Sequence, residues 1–398
     1  MTVATSTKAA VTQAAVRRLF VIATEESGDR LGAALMRALK QRLGDGVVFE
    51  GVGGRAMAEQ GLVSLFPIEE LSIMGISAVV RRLPSILRRI RSTAEAVLLA
   101  QPDMLIIIDS PDFTHRVARR VRARDPSIAI VNYVSPTVWA WRPGRARAMR
   151  RYVDHVLALL PFEPEEYRRL QGPPCTYVGH PLTEQIAHLR PSPTEQARRD
   201  AEPPVLVVLP GSRRSEIFHQ MAVFGETLKR LQAEHGDLDL ILPTVPHLRE
   251  AVEAGVREWP VQPRIVVGDA DKKAAFRIAR AAFAKSGTVT LELALAQVPM
   301  VAVYKAGAME AWIGKRVIRS ASVILANLVV GDNVVPEFIQ EDCVPEKLVP
   351  ALREVLSDTP MRARQLAAFA RIDDIMSTGA QTPSARAAEI VLNVLRQH

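Results

Sequence analysis

The sequence predicts an α/β protein with two doubly wound domains that face a central cleft. Short β-branched apolar runs such as 205–209 are typical of strands buried on both faces of a parallel sheet. These runs alternate with helical patterns, and the alternation stops at 181–204 and then restarts. Because 181–204 is rich in proline and charge and poor in large apolar groups, we interpret it as the linker between the two domains.

The first domain, 1–190, is predicted to begin its sheet close to the N-terminus. Ser27, Gly28 and Asp29 follow the first apolar run and are predicted to cap a helix over 31–43, where leucines recur at helical spacing. The predicted strands of this domain are 19–23, 47–52, 104–108, 128–134 and 153–160.

The second domain, 200–375, repeats the plan with a different sequence. A helix is expected from about Glu216, and residues 376–398 form a C-terminal helical segment that could pack back on the first domain. The predicted strands are 205–209, 238–242, 264–267, 283–284 and 300–304.

Composition narrows the class of protein. The net charge of +8 over 398 residues favours anionic partners such as nucleotides, phospholipid surfaces or nucleic acid, without choosing between them. Cys175 and Cys343 form no C-x-x-C pair, which predicts neither a zinc site nor a disulfide framework and fits a reducing cytoplasm. Residues 1–18 lack the apolar core of a signal peptide, and no uncharged run is long enough for a membrane span.

Two small-residue turns of the second domain are candidates for phosphate binding. Gly211, Ser212 and Arg213 follow strand 205–209, with Ser212 expected to cap the next helix. Such a turn offers unpaired N–H groups and the positive end of a helix dipole, and an arginine fork fits phosphate oxygens. The second turn contains Ser286, Gly287 and Thr288. Strand–glycine–helix turns also occur without ligands, but two of them in one domain favour a nucleotide site.

A basic amphipathic segment, 73–99, interleaves apolar residues with arginines at near-helical spacing. Such an element can lie on an anionic membrane, with Arg81, Arg82, Arg88 and Arg89 at the headgroups. The alternative is a helix packed on the sheet with a solvated basic face and broken at Pro84. The same two interpretations apply to 312–319.

Several motifs resemble those of the lipid-A-disaccharide synthase family. The most specific is Asn132-Tyr-Val-Ser-Pro-Thr-Val-Trp-Ala-Trp-Arg142, and the resemblance runs in unbroken order over roughly 19–345. Three positions depart from the family pattern, since Thr24, Asn132 and Ala326 stand where the family has Gly, His and Pro. The other matching segments are 25–29, 69–75, 108–113, 160–163, 178–181, 209–213, 286–288, 327–331 and 335–340.

The resemblance implies a GT-B glycosyltransferase, with two Rossmann-like domains and the nucleotide held mainly by the second. It implies that UDP-2,3-diacylglucosamine is joined to 2,3-diacylglucosamine 1-phosphate, giving a β-1,6-linked disaccharide and UDP. No metal or other cofactor is expected for this fold type. The implied location is the cytoplasmic face of the inner membrane, at an anionic membrane surface.

The expected site residues follow from these motifs. Arg213 and the two turns would stabilise the departing pyrophosphate, and Glu292 could accept from the ribose hydroxyls, with Asn327 nearby. Asp109, at the carboxyl end of a buried strand, is the expected base, in preference to Asp112, Glu25 or His180. Further candidates near the acceptor are Glu25, Ser27, Asp29, Asp112, Trp139, Trp141 and Gln340.

Two other functions are alternatives at this point. A UDP-sugar 2-epimerase would share the nucleotide turns but would not need the basic amphipathic segment. A nucleic-acid-binding protein is supported by the net charge alone, since no RNA-binding or zinc-finger motif is present. The acidic pairs Asp237/Asp239 and Asp269/Asp271 look like D-x-D metal motifs, but they lie in charged surface segments and we do not assign them a metal.

Overall fold

The computed structural model describes residues 16–71, 76–305, 307 and 322–398, without the side chains of 76–82. Its framework is two six-stranded parallel sheets, so the predicted α/β class with two doubly wound domains is confirmed. The first sheet contains β1 (Arg17–Ala23), β2 (Val47–Val52), β3 (Met104–Ile108), β4 (Ala129–Tyr133), β5 (His155–Ala158) and β6 (Cys175–Tyr177). The second contains β7 (Val205–Leu209), β8 (Asp239–Thr244), β9 (Arg264–Val267), β10 (Ala281–Lys285), β11 (Met300–Tyr304) and β12 (Glu337–Ile339).

Helices cover both faces of each sheet, which is why the central strands are buried throughout. In the first half they are α1 (Glu26–Leu43), α2 (Arg55–Ala58), α3 (Ile76–Ala100), α4 (Pro111–Arg124), α5 (Gly144–Met149), α6 (Glu163–Arg169), α7 (Ile186–Leu189) and α8 (Pro193–Asp200). In the second half they are α9 (Arg214–His235), α10 (Arg249–Val256), α11 (Asp269–Ile278), α12 (Thr288–Leu295), α13 (Leu325–Val330), α14 (Pro345–Leu356), α15 (Pro360–Ala370), α16 (Ile372–Ile375) and α17 (Pro383–Gln397). Short 3₁₀ turns occupy Gly44–Gly46, Ile68–Glu70, Pro181–Gln185, Pro246–Leu248 and Gln340–Asp342.

The strand order of each sheet reverses once. The first sheet has the order β2-β1-β3-β4-β5-β6, and the second has β12-β11-β10-β7-β8-β9. The chain therefore leaves in opposite directions from β1 and β3, and likewise from β7 and β10. In open α/β sheets a ligand crevice lies outside the carboxyl ends of the strands at such a reversal. Each domain thus has one preferred place for a ligand.

The segment 181–204 is largely helical, although its composition led us to expect a linker. Ser192 caps α8 through a reciprocal capping box with Glu195, and a proline occupies the first helical position. Arg199 is buried and donates to main-chain carbonyls at the C-terminal ends of α11 and α12. The guanidinium thereby supplies additional donors to carbonyl groups at two helix ends. This segment is therefore tied to the second domain.

Two helices differ from their predicted form. Helix α1 begins at Glu26, so Ser27, Gly28 and Asp29 lie inside its first turn and do not cap it. A Cβ at Gly28 would lie 3.4 Å from the Ala23 Cβ, so the helix starts in close contact with β1. Helix α3 continues through Pro84, which is exposed, and the helix is not broken there.

The C-terminal helix α17 packs on the first domain. Ala387, Ala388 and Val391 belong to the apolar core beneath β1, β3 and α1. The two domains also meet through the Tyr177 hydroxyl, which donates to the Met376 carbonyl over 2.7 Å. Of the helices in the described part of the chain, none combines the length and apolar character that a membrane crossing requires.

Candidate active site

The first-domain reversal brings together the turns that follow β1 and β3. Ala23 and Ile108 are register partners at the ends of these strands, so Glu25 and Asp109 emerge side by side. The Ser110 hydroxyl donates to Glu25 Oε1 over 2.9 Å, and the Ser110 N–H donates to Asp109 Oδ1 over 2.8 Å. Ser110 thus links the two carboxylates at the crevice.

The Asp109 carboxyl lies in an environment suited to a base. Burial raises its pKa above the ordinary value, the Ser110 N–H opposes this, and the charge of Glu25 raises it further. A carboxylate whose pKa is raised toward neutrality is a stronger proton acceptor than an ordinary aspartate.

Backbone strain is concentrated at the same edge. Four of the eight non-glycine residues with positive φ in the described chain lie in the loops after β3 and β4, at Asp109, Ser110, Val134 and Arg142. Left-handed conformations at such residues cost free energy and persist where surrounding structure imposes them, often at functional sites. The strain therefore supports the assignment of this crevice as a site.

Three other candidates of the first domain have different surroundings. Asp29 is buried, and its carboxylate accepts from the N–H groups of Gly54, Ala56 and Met57, so it fixes the start of α2. Ser27 is exposed in the first turn of α1. The Asp112 side chain is 84% exposed and lies 3.7 Å from the guanidinium of Arg145.

His180 was considered as a base, but its ring has a structural contact. Its Nδ1 accepts the Leu182 N–H over 3.2 Å at the start of a 3₁₀ turn. Burial lowers its pKa to about 4, so the ring is neutral at physiological pH.

The two tryptophans of the most specific motif are half-buried and fixed by hydrogen bonds. Trp139 Nε1 donates to Glu163 over 3.2 Å, and its ring packs edge-on against Phe162 and on the second-domain core. Trp141 Nε1 donates to the Thr137 hydroxyl over 2.9 Å. Trp139 therefore lies between the domains, and only Trp141 remains open to a ligand at the crevice.

Glu163 should make stability depend on pH. Burial raises the pKa of this carboxyl to about 7, against the hydrogen bonds from Leu160 and Trp139. The pKa of Glu163 in the folded protein exceeds the value of about 4.5 in the unfolded chain. The contribution of Glu163 to stability is therefore complete below about pH 4.5 and is lost as the pH rises through about 7. We therefore expect the advantage of the parent over Glu163→Gln in thermal unfolding to be larger at pH 5 than at pH 8. An equal difference at both values would contradict the raised pKa.

The second-domain reversal places the two glycine turns next to each other. Leu209 and Ala284 are register partners, so Gly211 and Ser286 follow neighbouring strand ends. Gly211 has φ +134°, and a Cβ there would lie 2.6 Å from the Cβ of Glu216. Glycine is required at this turn because a side chain would be strained and would collide with α9.

Ser212 does not cap α9. The N-cap residue is Arg213, and the Ser212 N–H instead donates to Glu216 Oε2 over 2.9 Å. The first anion-binding N–H of this turn is thus occupied by a carboxylate of the chain itself. The Arg213 side chain is 74% exposed, with its Nη1 3.5 Å from Glu216 Oε1, and remains accessible to a ligand.

Lys285 joins the two turns and was not among the residues predicted for the site. Its Nζ donates to Glu216 Oε1 over 2.9 Å and lies 4.0 Å from the position of a Cβ on Gly287. Burial raises the pKa of Glu216, but the Lys285 and Ser212 hydrogen bonds more than offset this and lower it overall. The position of Lys285, at the last residue of a strand that enters a glycine turn, is the sequence signal that could have identified it.

The second turn leaves fewer side chains available than predicted. The buried Ser286 hydroxyl donates to the Val323 carbonyl over 2.8 Å, whereas Thr288 is exposed at the start of α12. Glu292 forms an ion pair of 2.6 Å with Lys272. The turn therefore offers the Gly287 and Thr288 main chain and the Thr288 hydroxyl.

Asn327 and Gln340 lie beyond these turns. The buried Asn327 amide accepts from the N–H groups of Val334 and Val335 and donates to the Val335 carbonyl and Glu337. These bonds engage the whole amide and fix the loop before β12, so a direct nucleotide contact from this side chain would require that loop to open. Gln340 is half-buried with φ +53° directly after β12.

The predicted membrane-surface arginines differ in their surroundings. Arg88 is exposed, whereas Arg89 pairs with Glu70 over 2.6 Å and lies over the Phe66 ring. Arg89 therefore has a structural role. The side chains of Arg81 and Arg82, and the segment 312–319, lie outside the described residues.

One carboxylate of each acidic pair that looks like a D-x-D motif is paired with a cation. Asp239 pairs with Arg198 over 2.7 Å, and Asp269 pairs with Lys272 and Lys273. Across the residues that the structure describes, no group of three His, Cys, Asp or Glu side chains is arranged to hold a metal ion.

The fold is shared with the solved structures of an epimerase and a glycotransferase. A putative UDP-N-acetylglucosamine 2-epimerase from Listeria monocytogenes matches 97% of this chain and 97% of its own, with a TM-score of 0.58 at 14% identity. The glycotransferase of kitacinnamycin matches 95% of this chain and 98% of its own, with a TM-score of 0.59 at 16% identity. These likenesses concern the fold alone and confirm the predicted GT-B architecture.

The sequence comparisons identify the family. The model of the lipid-A-disaccharide synthetase family matches residues 19–391. A lipid-A-disaccharide synthase from Rhodopseudomonas palustris (strain HaA2) is 92% identical over 387 residues, covering 97% of this chain and 98% of that protein. With its two crevices, its motifs and these matches, the chain belongs to the lipid-A-disaccharide synthase family.

Proposed function

We propose that this chain joins UDP-2,3-diacylglucosamine to 2,3-diacylglucosamine 1-phosphate, forming the β-1,6-linked disaccharide 1-phosphate and UDP. The observation that carries the proposal is the pairing of two crevices at strand-order reversals, one acidic at Glu25 and Asp109, the other cationic at Arg213 and Lys285. Family membership supplies the type of reaction. It also favours the glycosyltransferase over the epimerase and nucleic-acid alternatives.

The cationic crevice would hold the donor. Transfer breaks the bond between the sugar C1 and the diphosphate, whose oxygens then gain negative charge, so fixed cations there lower the barrier. Arg213 and Lys285 supply two positive charges, and the main chain at Gly287 and Thr288 begins a helix that favours an anion. Glu216 must give up the Ser212 N–H before a phosphate oxygen can use it.

The acidic crevice would activate the acceptor. The Asp109 carboxylate takes the proton of the 6-hydroxyl as that oxygen bonds to the donor C1, and the electron pair of the broken bond leaves with UDP. One displacement of this kind inverts the anomeric centre. Glu25 acts on Asp109 through Ser110, and its negative charge keeps the carboxylate basic.

In this proposal no metal ion is required, because the side chains of Arg213 and Lys285 carry the charge that a cation would otherwise neutralise. The acyl chains and the anionic headgroups would meet helix α3, where Leu83, Leu87 and Arg88 are exposed. The corresponding location is the cytoplasmic face of the inner membrane, with the protein bound peripherally.

The test of the proposed function is acceptor-dependent release of UDP. The full chain is incubated in detergent with the UDP-sugar, with and without the acceptor, in the presence of a strong chelator. Release only when the acceptor is present supports a metal-free transferase. Release that is independent of the acceptor, or that disappears with the chelator, would refute the transferase or its metal-free mechanism respectively.

Replacing Lys285 should weaken nucleotide binding. Lys285→Met removes a half-buried ammonium beside the proposed diphosphate, and we expect UDP affinity to fall by about tenfold, the scale of one charge-assisted hydrogen bond. Lys229→Met is the matched control, because Lys229 is exposed further along α9. Calorimetric titration with UDP measures the affinity of both variants. If Lys285→Met binds UDP as tightly as Lys229→Met, Lys285 serves only to hold Glu216.

A further inference from the structure

The most specific motif ends at a cluster of positive charge, Arg142 and Arg145, to which the proposed reaction assigns no role. The guanidinium carbons of Arg142 and Arg145 lie 4.4 Å and 5.5 Å from the centroid of the Trp141 ring. The ring is held in place by its hydrogen bond to Thr137. Aromatic rings attract cations over their faces, so Trp141 acts as a fixed platform for two guanidinium groups.

From this cluster we infer that Arg142 and Arg145, on Trp141, bind the phosphate monoester of the acceptor sugar. The inference rests on the proposed function and assigns to it a phosphate subsite in the first domain. Guanidinium groups present forks of N–H donors that match phosphate oxygens.

The charges of the two arginines are incompletely compensated within the chain. No ion pair among the described residues involves Arg142. Arg145 has one carboxylate neighbour, Asp112, at 3.7 Å, and that carboxylate is 84% exposed and mostly solvated. The Arg145 side chain itself is only 15% exposed, so its guanidinium is held in one place. A phosphate dianion could therefore bind both groups without breaking a buried ion pair.

The position of the cluster relative to Asp109 fits the acceptor. Asp112, which Arg145 approaches, lies in the first turn of α4, and that helix starts directly after Asp109 and Ser110. In the acceptor, the carbon bearing the phosphate and the carbon bearing the CH₂OH group flank the ring oxygen. A group that binds the phosphate must therefore lie within one sugar width of the base that accepts the 6-hydroxyl proton.

Electrostatics also require a cation at this crevice. Glu25, Asp109 and Asp112 would repel a phosphorylated acceptor if no positive charge were nearby. Arg30 and Arg55 line a cavity of about 440 Å³ beside α1 and α2, together with several acidic side chains. There Arg30 pairs with Glu26, and Arg55 pairs with Glu59 over 3.2 Å. That cavity is therefore poorly suited to a dianion.

The test compares two acceptors, 2,3-diacylglucosamine with and without the 1-phosphate. Arg142→Ala, Arg145→Gln and the double variant are assayed for kcat/KM, with Arg147→Ala as the control because Arg147 is exposed on the same helix, α5. We expect the double variant to lose about 100-fold with the phosphorylated acceptor and less than about threefold without the phosphate, with UDP affinity unchanged. Arg142→Ala alone, at an exposed position, should lose about tenfold in the same selective way.

Two outcomes would overturn the inference, an equal loss with both acceptors or no loss with either. If the equal loss is accompanied by reduced binding of the variants to phosphatidylglycerol vesicles, the cluster is reassigned to lipid headgroups. Failure of the parent protein to form a disaccharide from either acceptor would instead refute the proposed function.

Discussion

Replacing Asp109 with Asn is expected to lower kcat by about 10³-fold, within the range that general-base catalysis contributes. The substitution keeps the size of the side chain and can keep the hydrogen bond from the Ser110 N–H, but it removes the proton acceptor. UDP affinity should not change, because the donor is assigned to the other crevice. Single-turnover rates and UDP titrations on the same preparation measure the two quantities.

The pH profile provides an independent check on Asp109. Since burial and Glu25 raise its pKa, the rate should increase with pH through a value above that of an ordinary aspartate. Asp125→Asn, at the opposite end of α4, is the matched control and should leave the profile unchanged. If Asp109→Asn keeps full activity, or the acid limb of the profile survives the substitution, Asp109 is not the base.

Replacing Arg213 with Ala is expected to lower kcat/KM by about 10²-fold. Loss of one donor to a developing anion typically costs this much or more. The Arg213 side chain is exposed, and its contact with Glu216 is long, so the fold should be unaffected. Much of the loss should appear in kcat, because charge on the diphosphate increases in the transition state.

Arg214→Ala is the control for this experiment. Arg214 is the adjacent exposed residue and opens α9, so it tests whether general positive charge is sufficient. Equal losses in the two variants would indicate long-range attraction of the nucleotide, and such losses should decline steeply as salt is added. A loss confined to Arg213 that persists at high salt supports a direct contact.

Much of the fold could be predicted because the strands are buried on both faces. The limits of β2, β3, β7, β9 and β11 match the apolar runs that predicted them. Helix α8 was missed because prolines and charges usually mark loops, although its capping box and first-turn proline were legible in the sequence. The start of α1 was misplaced because Asp29, which looks like a cap, bonds to the backbone of α2 instead.

The site could be predicted only as far as the positions of its turns. Strand–turn–helix patterns indicated both crevices, and the strand orders place those turns at the reversals. Which polar groups are free to bind a ligand depends on contacts between distant segments. Asn327 is engaged by its own loop, and the Ser212 N–H is taken by Glu216. The contact between Lys285 and Glu216 also joins distant segments, so the sequence indicated at most the place of Lys285 at a strand end before a glycine turn.

The measurement that tests the central claim most directly is identification of the product. The full chain is incubated with UDP-2,3-diacylglucosamine and 2,3-diacylglucosamine 1-phosphate in detergent with chelator, and the products are analysed by mass and by NMR of the new linkage. We predict one β-1,6-linked disaccharide 1-phosphate for each UDP released. UDP without a disaccharide, or an epimerised UDP-sugar, would contradict the assignment of the two crevices to donor and acceptor.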